Sequence, residues 1–469
     1  MNDIDEQVTE RFHVAARALY VTPPPTRVIV ERVSRRRRRR LAVRGAAGIT
    51  TAVLLVGGLV AITTRGTGGP STGGSEPQSS ATTGSQPSGS ISGTSLDVTN
   101  TAAAADQWSR LPDNDLTARS EHLVVGTDTG LFVWGVHDEQ SKSTGAPQPK
   151  VTDGAYYDDT TRTWRTLPPA PLAASRGDAL GVWTGTEVVV INGVSGNVKS
   201  AAFNPTTFRW RSLMDPPVDN AANGSSQAVF VGGKVLLFSV FEDGAAPQDQ
   251  VAWLDDLRSG HWTVVPSPPV SLQSGVGMVA AGSDAIVVGQ SNNPGNPSGC
   301  NVLHILAYSP SANSWRELPA GPVANRADPV AAWTGSELFI GGGASCDNGV
   351  ANGGPKNQAS LLDPTTGVWR TASPAPVGFY SSYRYADIWT GTSVASITPD
   401  GSPLLYNPTT DTWHLGPKIN RDHPIAPNQT PTVLLQNSII VSGGRITQAG
   451  ELCCDPFRGT YAYTIPDGF

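Results

Sequence analysis

Three times the chain places an acidic residue two positions after an arginine: Arg119-Ser120-Glu121, Arg176-Gly177-Asp178 and Arg326-Ala327-Asp328. Positions i and i+2 of a strand share a face, so each pair would set a guanidinium beside a carboxylate. At the start of the innermost strands of a circular fold, such arginines could ring the mouth of a central channel. There they would suit carboxylate or phosphate groups, which guanidinium binds bidentately. The same pattern also serves as ion pairing between repeats that fixes strands and loops, and both readings stay open. Arg384 and Arg421 fall nearby but out of register. Arg176-Gly177-Asp178 also has the form of a cell-adhesion tripeptide, but it lies where a strand is expected.

The remaining reactive side chains give weaker patterns. Cys300, Cys346, Cys453 and Cys454 fall in segments between the second and third strands of predicted repeats. An extracytoplasmic location would let them form disulfides, and four cysteines allow three pairings. Cys300 and Cys346 belong to neighbouring repeats, so a bridge between them is natural; Cys453 and Cys454 are then a vicinal bridge or a thiol pair. His13, His122, His137, His261, His304, His414 and His423 show no metal-ligand spacing, and no Gly-rich phosphate loop, nucleophile elbow or zinc-protease motif occurs. No metal and no cofactor is expected.

The elements that must hold these residues are marked by tryptophan. Leu404-Leu405-Tyr406-Asn407-Pro408-Thr409-Thr410-Asp411-Thr412-Trp413 has close copies ending at Trp210 and Trp369, and looser ones ending at Trp164, Trp262 and Trp315. Trp108 stands alone in Gln107-Trp108-Ser109-Arg110-Leu111-Pro112. The seven are 56, 46, 52, 53, 54 and 44 residues apart, a period of the kind that marks propellers and arrays. In each phrase an apolar run ends at Asn or Asp, whose side chain accepts hydrogen bonds from the backbone ahead and starts a turn. Proline pre-sets φ for the next position, and the β-favouring Trp opens the returning strand. After each Trp comes a proline-rich connection, such as Leu167-Pro168-Pro169-Ala170-Pro171. An inner strand, a tight turn such as Trp183-Thr184-Gly185-Thr186 and a very apolar strand such as Val188-Val189-Val190-Ile191 follow. Unbroken apolar runs suit strands covered on both faces, so each unit reads as a four-stranded sheet.

These units resemble kelch repeats, and the Trp-Thr-Gly hairpins resemble the bacterial variety grouped with the galactose oxidase central domain. The resemblance covers about 106–469. The hallmark double glycine after the second strand is present at Gly341-Gly342 and Gly443-Gly444 and reduced at Asn192-Gly193 and Trp134-Gly135. It implies a β-propeller. It does not carry oxidase activity, since the His, Tyr and Cys residues that copper chemistry needs are not in place, and fold is not function. The turn phrases are also similar to sialidase Asp-boxes but lack the leading serine. Trp108 has no first three strands before it, and the last unit, with strands near 432–435, 438–442 and 461–465, has no terminal Trp strand. The Trp108 strand is therefore expected to complete the last sheet and close the ring.

The first 105 residues are of another kind. Residues 1–44 hold 11 Arg and 5 acidic residues, including the run Arg35 to Arg40, while the rest of the chain carries a net −12. The acidic balance of that larger part argues against nucleic acid as its partner. Gly45 to Thr64 is apolar and uncharged, and twenty helical residues span about 30 Å, a bilayer core. The arginines hold the preceding side in the cytoplasm. An uncleaved signal anchor is preferred to a cleaved signal peptide, because the leading segment is long and lacks a cleavage site. Residues 65–105 are mostly Gly, Ser, Thr, Pro, Gln and Ala, a composition that stays disordered. Ile4, Val8, Phe12, Ala15 and Leu19 form one helical stripe, which could dock a cytoplasmic partner or lie near the membrane.

The expectation is thus a cytoplasmic tail (1–44), a transmembrane helix (45–64), a disordered linker (65–105) and an all-β, seven-bladed kelch-like β-propeller (106–469) outside the cytoplasm. Its expected role is non-catalytic binding of a protein or glycan, with Arg119, Glu121, Arg176, Asp178, Arg326 and Asp328 as contacts. The alternative is an enzyme acting on carbohydrate or a small polar molecule at the channel mouth.

Overall fold

The computed structural model describes residues 105–469, apart from 118, 120–121, 136–151, 173–178, 194–197, 219–225, 240–249, 273, 292–301, 324–325, 346–354, 380–387, 399, 420–431 and 444–458. The tail, the apolar stretch 45–64 and the linker up to 104 lie outside the described residues. So do Glu121, Arg176, Asp178 and all four cysteines. No helix among the described residues is long and apolar enough to cross a membrane.

Among the described residues the strands form seven four-stranded antiparallel sheets and one two-stranded ribbon, Arg326–Ala327 with Ala344–Ser345. Six of the seven sheets take their four strands in chain order. The remaining sheet is composite: Gln107–Arg110 is its outer strand, beside Thr460–Thr464, Ser438–Ser442 and Thr432–Leu435. Trp108 lies directly opposite Tyr463, and Arg110 opposite Tyr461. The start of the domain therefore completes its last sheet, as the lone Trp108 and the missing terminal strand imply.

The sheets follow one another around an axis, with the inner strands Leu123–Gly126, Leu180–Trp183, Gln227–Val231, Ser274–Ala281 and Val330–Trp333 packed side by side. Thr432–Leu435 of the composite sheet packs on Leu123–Gly126. This approach needs a glycine: a Cβ on Gly126 would stand 2.1 Å from the Leu434 carbonyl oxygen. The seam between the composite sheet and its other neighbour is filled by Ile388, Ala395, Leu405, Ile439, Tyr463 and Ile465.

The repeated tryptophans explain the spacing of the chain. Each lies opposite a large residue near the end of the third strand: Tyr157, Phe203, Leu254, Tyr308, Leu362, Tyr406 and, in the composite sheet, Tyr463. Cross-strand aromatic pairs add to sheet stability beyond their area. Ring centroids are 4.7 Å apart for Tyr406 and Trp413, and 5.5 Å for Tyr463 and Trp108. Each indole N–H also donates to a carbonyl of the preceding sheet, four residues beyond that sheet's own Trp. Trp164 bonds Pro112, Trp210 bonds Pro168, Trp262 bonds Met214 and Trp315 bonds Pro266. Trp369 bonds Pro319 and Trp413 bonds Ser373. Trp108 bonds Pro417 at 2.8 Å, so the series returns on itself. Each such bond contributes about 1 kcal/mol; proline suits the acceptor position because it offers a carbonyl and needs no partner for an N–H.

Asp158, Asn204, Asp363 and Asn407 accept backbone N–H bonds from the residues that follow, as the turn phrase requires. The phrase hides a second requirement. The last residue of each four-residue turn, Arg162, Phe208, Gly260, Asn313, Gly367 or Asp411, has positive φ, a conformation that costs most residues other than glycine and asparagine.

Candidate functional site

Antiparallel order fixes which connections share a face. Turns between inner and second strands, and between third and outer strands, lie at one end of every sheet. Connections from second to third strand and from one sheet to the next lie at the other. Arg119 and Arg326 belong to this second, loop-bearing face.

Arg119 and Arg326 occupy matching places there. Arg119 Nη1 donates to the carbonyl of Gly135 at 3.0 Å, and Arg326 Nη1 to that of Gly342 at 2.8 Å. Both glycines follow a second strand and have positive φ. The other arm of each guanidinium reaches the residue just before the third strand. Arg119 Nη2 bonds Asp153 at 3.2 Å and Arg326 Nη2 bonds Gln358 at 3.1 Å. Each arginine therefore ties together the two ends of the long connection between second and third strands. Arg119 is 3% exposed, so its guanidinium is held inside this contact. Its described carboxylate partner is Asp153, on the far side of that connection, and Glu121 lies outside the described residues.

At Arg326 the motif also does not sit on an inner strand. Arg326–Ala327 belongs to the two-stranded ribbon, Asp328 turns to φ 49°, and the inner strand begins only at Val330. Asp328 therefore does not continue the strand face that the i, i+2 spacing assumed. Burial pushes its carboxyl above the usual carboxylate range. Arg326 and Asp328 are both half-buried.

His122 lies one residue before an inner strand and is 2% exposed, with no hydrogen-bond partner for Nδ1 or Nε2 among the described residues. Burial first, and the Arg119 charge second, hold its pKa down at about 3. The imidazole abuts Gly443 of the composite sheet, where a Cβ would come within 2.6 Å of Cε1. Glycine in the second hallmark pair is thus required by a neighbouring sheet as well as by its own φ of 57°.

Two further polar groupings had no signal in sequence spacing, because each joins strands far apart in the chain or residues at unremarkable separations. At the closure seam, Tyr463 donates to Asp106 Oδ1 at 2.7 Å, and His414 Nε2 lies 2.9 Å from the same oxygen. Burial and the Asp106 carboxylate raise the Tyr463 hydroxyl well above its ordinary pKa. Burial opposes ionisation of Asp106, but its bonds to Tyr463 and His414 outweigh that and hold its pKa low. In the sheet spanning 274–318, Ser291 Oγ lies 2.8 Å from His304 Nε2, and His304 Nδ1 lies 2.7 Å from Glu317 Oε1. Among the described residues, no group of three or more His, Cys, Asp or Glu side chains is placed to hold a metal ion.

No family model matches the chain, and no curated protein matches it. Among solved structures, one described as the structure of YjhT aligns with 13% identity and a TM-score of 0.45, over 64% of this chain and 97% of that one. The propeller assignment rests on the strand pairing above.

Proposed function

We propose that this protein is a binding module: a seven-bladed, kelch-like propeller held outside the cytoplasm by the 45–64 helix, recognising a protein or glycan with its loop-bearing face. The observation that carries this reading is the asymmetry of the connections. Turns at one end are two to four residues long, while connections at the other run from five to nineteen. Variable loops on a rigid scaffold are where recognition concentrates. In this reading Arg119 is a positioning residue that shapes the loop base. Arg326 and Asp328, with Glu121, Arg176 and Asp178, are the candidate contacts.

A photo-cross-linking residue placed at Pro355 on the loop face of the full-length protein, in intact cells, should give a discrete adduct. The same residue at Thr365, on the turn face, should give none. Equal adducts from both positions, or none from Pro355 and from further positions along the loop face, would overturn the proposal.

A further inference from the structure

Ser291, His304 and Glu317 come from three successive strands of one sheet, Asp284–Ser291, Val302–Ser309 and Ser314–Leu318. The register sets Gly289 opposite His304 and Leu306 opposite Glu317. His304 is therefore the diagonal neighbour of both Ser291 and Glu317, and all three side chains share one face. Ser291 closes a second strand, which places the group at the loop-bearing end. Leu303 and Ile305, on either side of His304, are fully buried, so the imidazole stands on a segment pinned by the core. Its side chain is 16% exposed and that of Glu317 is 47% exposed. The ring is shielded, with an edge open to solvent.

The order of contacts matters more than the presence of three polar groups. With the carboxylate on Nδ1, that nitrogen carries the proton, and Nε2 presents its lone pair to the Ser291 hydroxyl. This is the sequence of nucleophile, base and orienting carboxylate that activates a serine. We propose that Ser291, His304 and Glu317 form a relay that hydrolyses carboxylic esters through an acyl-Ser291 intermediate. Ser291 Oγ bonds to the ester carbonyl carbon while its proton passes to His304 Nε2. Collapse of the tetrahedral adduct breaks the bond to the alcohol oxygen, which leaves with that proton. Water then attacks the acyl carbon as Nε2 takes one of its protons. Ser291 departs with the proton, releasing the acid and restoring the starting state. Glu317 holds the imidazole orientation and stabilises the transient imidazolium. An ester fits better than an amide because its alcohol leaves a tetrahedral adduct more readily than an amine does, and the relay is partly open to water. This activity goes beyond the binding role and does not depend on it.

The test uses the full-length protein with a fluorophosphonate reagent, peptide mass spectrometry and turnover of p-nitrophenyl acetate. The expected result is an adduct on Ser291 and turnover that falls at least about 100-fold in Ser291→Ala and His304→Gln, the scale of a lost nucleophile or general base. In Glu317→Gln, turnover should fall about tenfold with a shifted pH–rate profile, since the orienting group alone is weakened. Thermal melting of each variant checks folding. Should His304→Gln fail to fold, the exposed-site variant Glu317→Gln decides the question. No adduct on Ser291, or labelling and turnover unchanged in Ser291→Ala or Glu317→Gln, would overturn the relay and leave the trio as a cross-strand polar ladder.

Discussion

At one end of this propeller each turn from third to outer strand is four residues long and each turn from inner to second strand is two to four; at the other end connections reach nineteen residues. The short end is built by local rules. Thr184 and Thr334 hydroxyls each bond the backbone of the residue three places on, and Asn204 and Asp363 accept from backbone N–H groups two or three places on. It is also tied across sheets. Arg211 and Arg370 each grip a glutamate of their own sheet, Glu187 and Glu337, and a carbonyl in the third-to-outer-strand turn of the next sheet, at Arg258 and Pro408. Arg316 reaches Pro364 in the same way. At the long end, among the described residues, Arg119 and Arg326 each fasten the two feet of a connection at its base. One end carries the repeat, and the other departs from it in connection length.

The largest effect should come from the strand that both ends depend on. Deleting residues 1–110 removes the outer strand of the composite sheet, and the truncated protein should lose its cooperative melting transition; a calorimetric melt like that of the parent would break the closure argument. Acid should act next, through the loop-bearing end. His122 titrates at about 3 in the fold, against 6.5 for the free side chain. As pH falls below 6.5 the unfolded chain binds a proton that the folded one refuses. Stability from this site is thus full above pH 6.5 and declines until about pH 3, by at most about 5 kcal/mol. Urea unfolding at several pH values should show this slope, and His122→Leu should lack it.

Insertions sharpen the contrast between the ends. Two glycines placed within the turn 364–367 should cost about 1–2 kcal/mol, because they disrupt turn geometry and its ties. The same pair placed within 240–249 should cost less than about 0.5 kcal/mol, since lengthening a long loop changes closure entropy little. Equal shifts in denaturant midpoint would contradict the division. The smallest effect is a gain. Arg162 is exposed with φ 55°, and Arg162→Gly should stabilise by about 0.5 kcal/mol, because relief of the left-handed penalty slightly exceeds the entropy that glycine adds to the unfolded chain.

The fold was largely legible because its signals are local and repeated. The Asn-Pro-Thr-Thr turns, the apolar second strands and the tryptophan period each state one sheet at a time, and the unmatched Trp108 at one end pointed to the incomplete sheet at the other. The indole bonds between sheets were not legible, since a Trp reveals its strand but not the carbonyl it reaches around the ring. The candidate site was read less well. The Arg-x-acid pattern assumed a continuous strand, and a single left-handed residue at Asp328 ends that strand before the inner one begins. Sequence alone determined that this chain is a ring of repeated β units, because hydrophobic period and turn chemistry act within a few residues. Folding, and no local pattern, settles that Arg119 is enclosed, that His122 is buried with no hydrogen-bond partner among the described residues, and that Ser291, His304 and Glu317 meet. Those outcomes depend on register and on packing between sheets, which bring together residues that no local pattern links.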